Sequence, residues 1–302
     1  MRPSHETVLT LCDKRIQIYS EDVALENYLL ECLWPYVELD HGIGIDFTLY
    51  AVNGSLSPQD LDYFYGQNTD ELGINPVITN PVTRGQMISY RFRKIAILFN
   101  TSRGKLHEDV TRAIKQLLSL EFQKNGYFLF NAAAVALDNR AFLIVGPSGA
   151  GKTTLALAGV AQGASYIAND VALVKVRDGK WWVRGYPDVI SSVQPGKSIK
   201  HQILLIDYFQ RCTQKMSVEP VLVQDIVVPQ IASGRDVLYC QELSLQEGQA
   251  RVMERLHRDR RMSTRDEPDL SHGLRIHSLK FPYSEAASAF HLLQNCFAKE
   301  YT

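Results

Sequence analysis

The sequence lacks a charge excess and a long apolar run, and each absence excludes a class of protein. Its 32 Lys and Arg residues nearly balance its 33 Asp and Glu residues. The formal net charge of -1 gives the whole molecule no attraction to nucleic acid or to an anionic membrane. No stretch of about 18 uninterrupted apolar residues occurs, which a membrane-spanning helix would need. We therefore expect neither a nucleic acid nor a membrane as partner.

Paired cysteines and a secretion signal are also absent. Residues 1–6 lack a basic region followed by an apolar run, which favours a cytoplasmic location. The cysteines are odd in number, widely scattered and without a Cys-x-x-Cys pair that would suggest a metal or redox site. The histidines show no metal-ligand spacing, so no zinc site is predicted. The cysteines expected to be free thiols are Cys12, Cys32, Cys212, Cys240 and Cys296.

What is present is an ordinary globular composition, with 45% apolar and 22% charged residues. A chain of 302 residues is long enough for two domains. Strand-like runs and one helix predict a small α+β domain over residues 1–104. Its elements are a hairpin over residues 9–11 and 16–19, a helix capped by Ser20, and strands at 77–80, 87–92 and 95–100.

The second domain is predicted to span residues 105–302 and to begin with a long amphipathic helix. This helix starts near Leu106, and Gly126 is well placed to end it. From Tyr127 onward, strand-like segments follow one another closely and lead into a glycine-rich loop. The apolar face of the helix is made of Val110, Ile114, Leu117, Leu118 and Phe122.

That loop carries the strongest functional pattern. Residues 146–153 read G-P-S-G-A-G-K-T and match G-x-x-x-x-G-K-[ST] between an apolar strand and a helical pattern. Backbone N–H groups, the Lys152 charge and the start of the helix favour phosphate, and the Thr153 hydroxyl suits Mg²⁺. A tight bend alone would not require the Lys-Thr pair. The predicted ATP-binding residues are Gly146, Pro147, Ser148, Gly149, Ala150, Gly151, Lys152, Thr153 and Thr154.

Two aspartates compete as the carboxylate that helps Thr153 to hold Mg²⁺. Asp170 follows the apolar run 166–168, at a strand end where such ligands belong. The following run and residues 181–184 then predict a hairpin. Asp207 follows the apolar run 203–206, and this run keeps an ordinary ATPase as an alternative. The spacing favours Asp170.

A hairpin, the phosphate loop, a short helix and an Asp-bearing strand together resemble the C-terminal domain of HPr kinase/phosphorylase. This fold is related to phosphoenolpyruvate carboxykinase. The resemblance covers roughly residues 126–235, and Ser148 is its least generic loop position. It implies an α/β fold, namely a P-loop domain with a mixed sheet of this type beside the smaller N-terminal α+β domain.

The resemblance also implies a kinase that transfers the γ-phosphoryl group of ATP, with Mg²⁺, to a hydroxyl acceptor. The acceptor would be a peptide, a protein or a small metabolite, and the chain would form a homo-oligomer. Lys152 and Asp170 are then the predicted catalytic residues, and Asn169 stands where the family has its proton-accepting aspartate. Since an amide cannot act as a general base, Asn169 leaves open a nucleotide-binding module that transfers nothing.

Two further departures separate the chain from HPr kinase itself. Asn131 stands where the family has a histidine, and only Arg184-Gly185 remain of its Glu-x-Arg-Gly signature. Divergent kinases of small peptides or metabolites are therefore the better comparison. Phosphoryl transfer tolerates a missing strong base, because its loose transition state depends mainly on positioning and charge neutralisation.

Several charged residues outside the loop are weaker candidates. Arg251, Arg255 and Arg258 fall on neighbouring turns of a predicted helix and suit an acidic substrate or the γ-phosphate. The alternative is a solvated helix face whose arginines pair with nearby glutamates. Asp188 follows a proline and suits either a site near the loop or an ordinary turn.

Overall fold

The structure is a computed structural model in which the chain divides into two compact units, Met1–Leu118 and Ser119–Thr302. The boundary falls inside the long helix that follows the N-terminal strands. Within the described residues, no helix is both long and apolar enough to cross a membrane. The residues described are 5–20, 22–39, 44–53, 78–79, 86–90, 95–100, 106–187, 189–193, 200–210, 216–232, 238–256, 268, 270 and 274–298.

The first unit contains a seven-stranded mixed sheet in the order β3-β1-β2-β4-β7-β6-β5. The β1–β2 hairpin is antiparallel, with Leu9 opposite Ile16, and β2, β4 and β7 run parallel. The strands are β1 (His5–Leu11), β2 (Lys14–Ser20), β3 (Val37–Leu39), β4 (Phe47–Asn53), β5 (Ile78–Thr79), β6 (Gln86–Tyr90) and β7 (Ile95–Asn100). The helices are α1 (Leu25–Cys32) and α2 (Leu106–Lys124), of which the last residues belong to the second unit.

The hairpin is confirmed, but the predicted start of α1 is wrong. Ala24, not Ser20, is the N-cap of this helix. The Ser20 hydroxyl accepts the N–H of Asp22, and the Asp22 carboxylate accepts the N–H of Ala24. Such short side chains bond the backbone two residues further on and hold it in turns, so the helix begins later. Val23, which the helical pattern included, is 67% exposed.

The second unit contains a nine-stranded mixed sheet. Its path is β11-β9-β10-β16-β13-β12-β8, with β18 beside β16 and β17 beside β18. The pairs β10–β16 and β16–β18 are parallel and the others antiparallel. The central strands are β8 (Tyr127–Phe130), β9 (Ala132–Leu137), β10 (Arg140–Val145), β11 (Ser165–Ala168), β12 (Ala172–Arg177) and β13 (Lys180–Arg184). The later ones are β16 (Val221–Ala232), β17 (Tyr239–Glu242) and β18 (Arg275–Pro282).

Apolar residues on both faces of this sheet build two cores. Along β9, Ala134 lies in one core cluster and its neighbours Ala133 and Val135 lie in the other, as the period of two requires. Helices α3 (Lys152–Ala161) and α6 (Ala286–Ala298) cover one face, and α5 (Leu245–Met253) packs on the other. Between α3 and α6 the packing is tight, because a Cβ at Gly159 would lie 2.6 Å from the Phe290 ring. This packing holds the glycine-rich loop at residues 146–151 between β10 and α3.

The predicted strand that ends in Asp207 is wrong. Strand β15 (Lys200–Leu204) pairs with β14 (Val189–Val193) in a separate two-stranded sheet, and α4 (Leu205–Phe209) follows it. Leu205, Ile206 and Phe209 are buried at helical spacing, whereas Asp207 is exposed. The apolar run 203–206 therefore combines the end of β15 with the first residues of α4. Asp207 does not stand at the end of a strand of the main sheet.

The described cysteines agree with the expectation of free thiols. Among the described residues, Cys12, Cys32, Cys240 and Cys296 form no disulfide, and Cys212 lies outside the described residues. Burial, together with the neighbouring Cys296 and Asp225, raises the pKa of the Cys240 thiol to about 12. A thiol with that pKa stays protonated at neutral pH and is a poor nucleophile.

Candidate functional site

The loop at residues 146–151 joins β10 to α3 in the way that the sequence pattern predicts. Gly149 and Gly151 have φ values of +81° and +97°, which residues with a side chain rarely adopt. A Cβ at Gly151 would also lie 2.7 Å from Cδ1 of Ile231 and 3.1 Å from the Phe281 ring. The first glycine of this pair therefore supplies the turn, and the second supplies both the turn and the close approach to β16 and β18.

Helix α3 begins at Lys152 with its N-cap at Gly151, and no side chain of the described residues caps it. The first N–H groups of a helix have no partner within the helix and carry its partial positive charge. Here they follow directly on a glycine loop. Such an arrangement favours binding of an anion at this point.

Lys152 is 7% exposed, and its ammonium group is held by the loop itself. Its Nζ atom donates to the carbonyl oxygens of Gly146, at 2.9 Å, and Pro147, at 3.1 Å. A buried ammonium group needs such acceptors to offset its lost hydration. The loop therefore holds a positive charge in place beneath its own backbone.

Thr153, the next residue of α3, contacts the end of β11. Its hydroxyl donates a 2.7 Å hydrogen bond to the amide oxygen of Asn169, which is 1% exposed. Asn169 is thus a direct partner of Thr153, and Asp170, the next residue along the chain, is half-buried. The metal role of Asp170 stays a prediction, and the structure adds Asn169 as the direct partner of the predicted Mg²⁺ ligand.

A cleft of about 540 Å³ opens beside the loop. Residues 146–150 line it, and with Gly151 and Lys152, which follow them but are not among the described lining residues, they form what we call the loop wall. Arg251, Glu254 and Arg255 also line it, and we call them the arginine wall. Residues 228–231 of β16 complete the lining. Because β16 runs parallel to β10 and extends past its end, these residues lie beside the loop.

The arginine wall is held in place through the backbone. The carbonyl oxygen of Arg255 accepts the N–H of Asn131 at 2.9 Å, and an isolated bridge joins Phe130 to Leu256. Asn131 was singled out in the sequence because the resembled family has a histidine there. Its backbone ties the end of β8 to the segment that carries Arg255.

Both arginines have carboxylate partners. Arg251 lies 2.7 Å from Glu247, one turn earlier on α5, and Arg255 lies 2.8 Å from its neighbour Glu254. The sequence suggested either an ion-paired helix face or a site for an anion. Arg251 and Arg255 form ion pairs and also line the cleft beside the loop. Arg258 lies outside the described residues.

The other predicted site residues differ in whether they line the cleft. Gly146, Pro147, Ser148, Gly149 and Ala150 line the cleft, and Thr154 is not among the described lining residues. Asp188 lies outside the described residues. Glu254 was expected in the sequence as a partner of the arginines, as it is, but its place in the cleft lining and that of residues 228–231 were not predicted. The apolar run at 221–232 was a signal for the strand, but its parallel pairing with β10 could not be read from it.

The oxygen atoms beside the loop fit a magnesium ion. Mg²⁺ prefers hard oxygen ligands and usually takes one or two from protein and the rest from phosphate and water. The Thr153 hydroxyl donates a hydrogen bond to Asn169, so the lone pairs of its oxygen atom stay available to a cation. Within the described residues, no group of three or more His, Cys, Asp or Glu could hold a metal ion. An ion here would depend on phosphate oxygens for most of its ligands.

Comparisons with solved structures give only a distant similarity. No protein-family model matches the sequence, and no curated protein matches it. A similar solved structure is the Hpr(Ser) kinase/phosphatase from Coxiella burnetii, with a TM-score of 0.35 and 14% sequence identity. The match covers 58% of this chain and 99% of that one. A similarity of this size shows no family, so the function of the cleft is argued from its own residues.

Proposed function

We propose that this protein is a P-loop kinase that binds ATP with Mg²⁺ in the cleft and transfers the γ-phosphoryl group to a hydroxyl acceptor. The observation that carries the proposal is the cleft itself, in which a phosphate-binding loop motif faces two arginines. Phosphoryl transfer depends on positioned positive charge around the transferred group, and both walls carry cationic side chains.

Each predicted residue has a role that its position supports. The loop N–H groups and Lys152 bind phosphate oxygens, and the oxygen atoms of Thr153, Asn169 and Asp170 would hold Mg²⁺, which neutralises phosphate charge when bound. The acceptor oxygen bonds to the γ-phosphorus while the bond to the β,γ-bridging oxygen breaks. ADP leaves with that oxygen. The hydroxyl proton passes to water, because the Asn169 amide cannot accept it.

An ATPase that uses Asp207 is disfavoured. Asp207 is exposed on α4, after a strand of the small two-stranded sheet. It is not among the described residues that line the cleft. A carboxylate that helps Thr153 to hold Mg²⁺ has to lie beside the loop and the phosphates that the ion bridges.

The test is a transfer assay with ATP labelled on the γ-phosphate, over serine peptides and hydroxylated metabolites. We expect label on at least one acceptor class, Mg²⁺ dependence, and no transfer by Lys152→Met. Binding of ATP should be measured in parallel by calorimetry. A chain that does not bind ATP contradicts the proposal at its first step.

A second function is favoured by one observation, the amide of Asn169 on the Thr153 hydroxyl. A neutral partner there suits a module that binds nucleotide and responds to it without transferring phosphate. Tight Mg-ATP binding with neither transfer nor hydrolysis would support this function. Asn169→Asp separates the two, because a carboxylate supplies the missing base and negative charge. We expect it to leave ATP binding intact and to raise transfer by about 100-fold or more, within the range for general-base catalysis.

A further inference from the structure

Any anion that enters the cleft and binds Arg255 has to compete with Glu254. Its Nη2 atom lies 2.8 Å from Oε2 of Glu254, and both residues line the cleft. The side chain of Arg255 is 25% exposed and that of Glu254 is 64% exposed. The carboxylate can therefore swing into solvent, whereas the guanidinium lies mostly within the wall.

The position of Arg255 does not depend on Glu254. Its N–H donates to the carbonyl oxygen of Val252, and its own carbonyl oxygen accepts the N–H of Asn131. Both bonds belong to the backbone and persist whichever anion the guanidinium binds. The backbone of Arg255 is therefore held in place, whereas the anion that its guanidinium group binds can be exchanged.

The second arginine of the wall provides the contrast. Arg251 pairs with Glu247 at a similar distance of 2.7 Å, but Glu247 is not among the described residues that line the cleft. Of these two partners, Glu254 is the one that brings its negative charge into the cleft. A carboxylate in that position repels a phosphate and also occupies the cation that would bind it.

We propose that Glu254 and the terminal phosphate of the ligand compete for Arg255, so that Glu254 sets the affinity of the cleft for polyphosphates. This inference rests on the proposed function, since it takes the ligand to be a nucleoside triphosphate. An exposed ion pair is weak, so a phosphate group with more negative charge displaces the carboxylate. Glu254 thereby selects against weakly charged anions such as carboxylates.

The experiment is calorimetric titration of the full chain with Mg-ATP and, separately, with tripolyphosphate. Glu254→Gln removes the competing charge from an exposed position and should lower the Kd for both ligands by about fivefold, as expected for partly screened surface charges. Glu247→Gln is the matched control, because it releases Arg251 from a carboxylate outside the cleft. We expect it to change the Kd by less than about twofold.

Coupling to Arg255 is tested by combining two substitutions. In an Arg255→Ala background, Glu254→Gln should improve the affinity by no more than about twofold, since the shared cation is gone. An unchanged or weaker affinity of the single Glu254→Gln variant overturns the inference and leaves the kinase proposal standing. Competition seen with tripolyphosphate in a chain that does not bind ATP supports the inference and contradicts the kinase proposal.

Discussion

The ammonium group of the loop wall bonds to backbone carbonyl oxygens, whereas the guanidinium groups of the arginine wall pair with carboxylate side chains. Lys152 is buried and donates to two carbonyl oxygens of its own loop. Arg251 and Arg255 are partly exposed and pair with carboxylates that water also reaches. Burial protects a charge interaction from salt, and exposure leaves it screened and exchangeable. We therefore expect the loop wall to contribute the part of the anion affinity that resists salt, and the arginine wall the part that salt weakens.

Removing the buried cation should have the largest effect on binding. Lys152→Met keeps most of the apolar stem but deletes the ammonium group. We expect ATP affinity to fall by about 100-fold, equivalent to roughly 3 kcal/mol for lost charged hydrogen bonds. Calorimetric titration measures the change. Lys180→Met is the control, because Lys180 is exposed on β13 and is not among the described lining residues. Equal affinities for Lys152→Met and the natural chain would mean that the loop does not bind the phosphates.

The tight side of the loop wall can be tested by stability. Gly151→Ala places a Cβ within 2.7 Å of Ile231 at a φ of +97°, whereas Gly149→Ala meets nothing within 4 Å at +81°. We expect the free energy of unfolding to fall by about 3 kcal/mol for the first and about 1 kcal/mol for the second.

Urea denaturation gives both values, with Gly163→Ala as a further control. Gly163 has a φ of +96° with open space around it and lies after α3. Its loss should match that of Gly149→Ala. If all three substitutions cost the same, the loop is not packed against β16 and β18 in the way described.

The loop wall was predictable from sequence because its determinants are local. A strand, glycines at positions of positive φ and a helix start follow one another within residues 140–161, and the structure has each element within one residue of its predicted place. The β1–β2 hairpin was readable for the same reason. In both cases neighbouring residues decide the conformation without help from the rest of the chain.

The cleft was not predictable because it depends on pairings between distant segments. Residues 228–231 reach the loop through the parallel pairing of β16 with β10, which periodicity does not specify. Asn131 meets Arg255 through backbone atoms, and backbone contacts leave no mark in the side-chain pattern. The error at Asp207 has another cause, since a short apolar run fits a strand or a buried helix turn equally well.

The exposed cation should show the smallest effect and the strongest dependence on salt. Arg251→Ala removes a guanidinium group that is 44% exposed, so we expect a loss in ATP affinity of only about threefold at low ionic strength. At about 0.5 M salt, where the screening length is near 4 Å, the variant and the natural chain should bind alike. The defect of Lys152→Met should persist under the same conditions, because its charge is buried. Arg177→Ala, at an exposed end of β12, serves as the control. A salt-independent defect in Arg251→Ala would remove the distinction between the two walls.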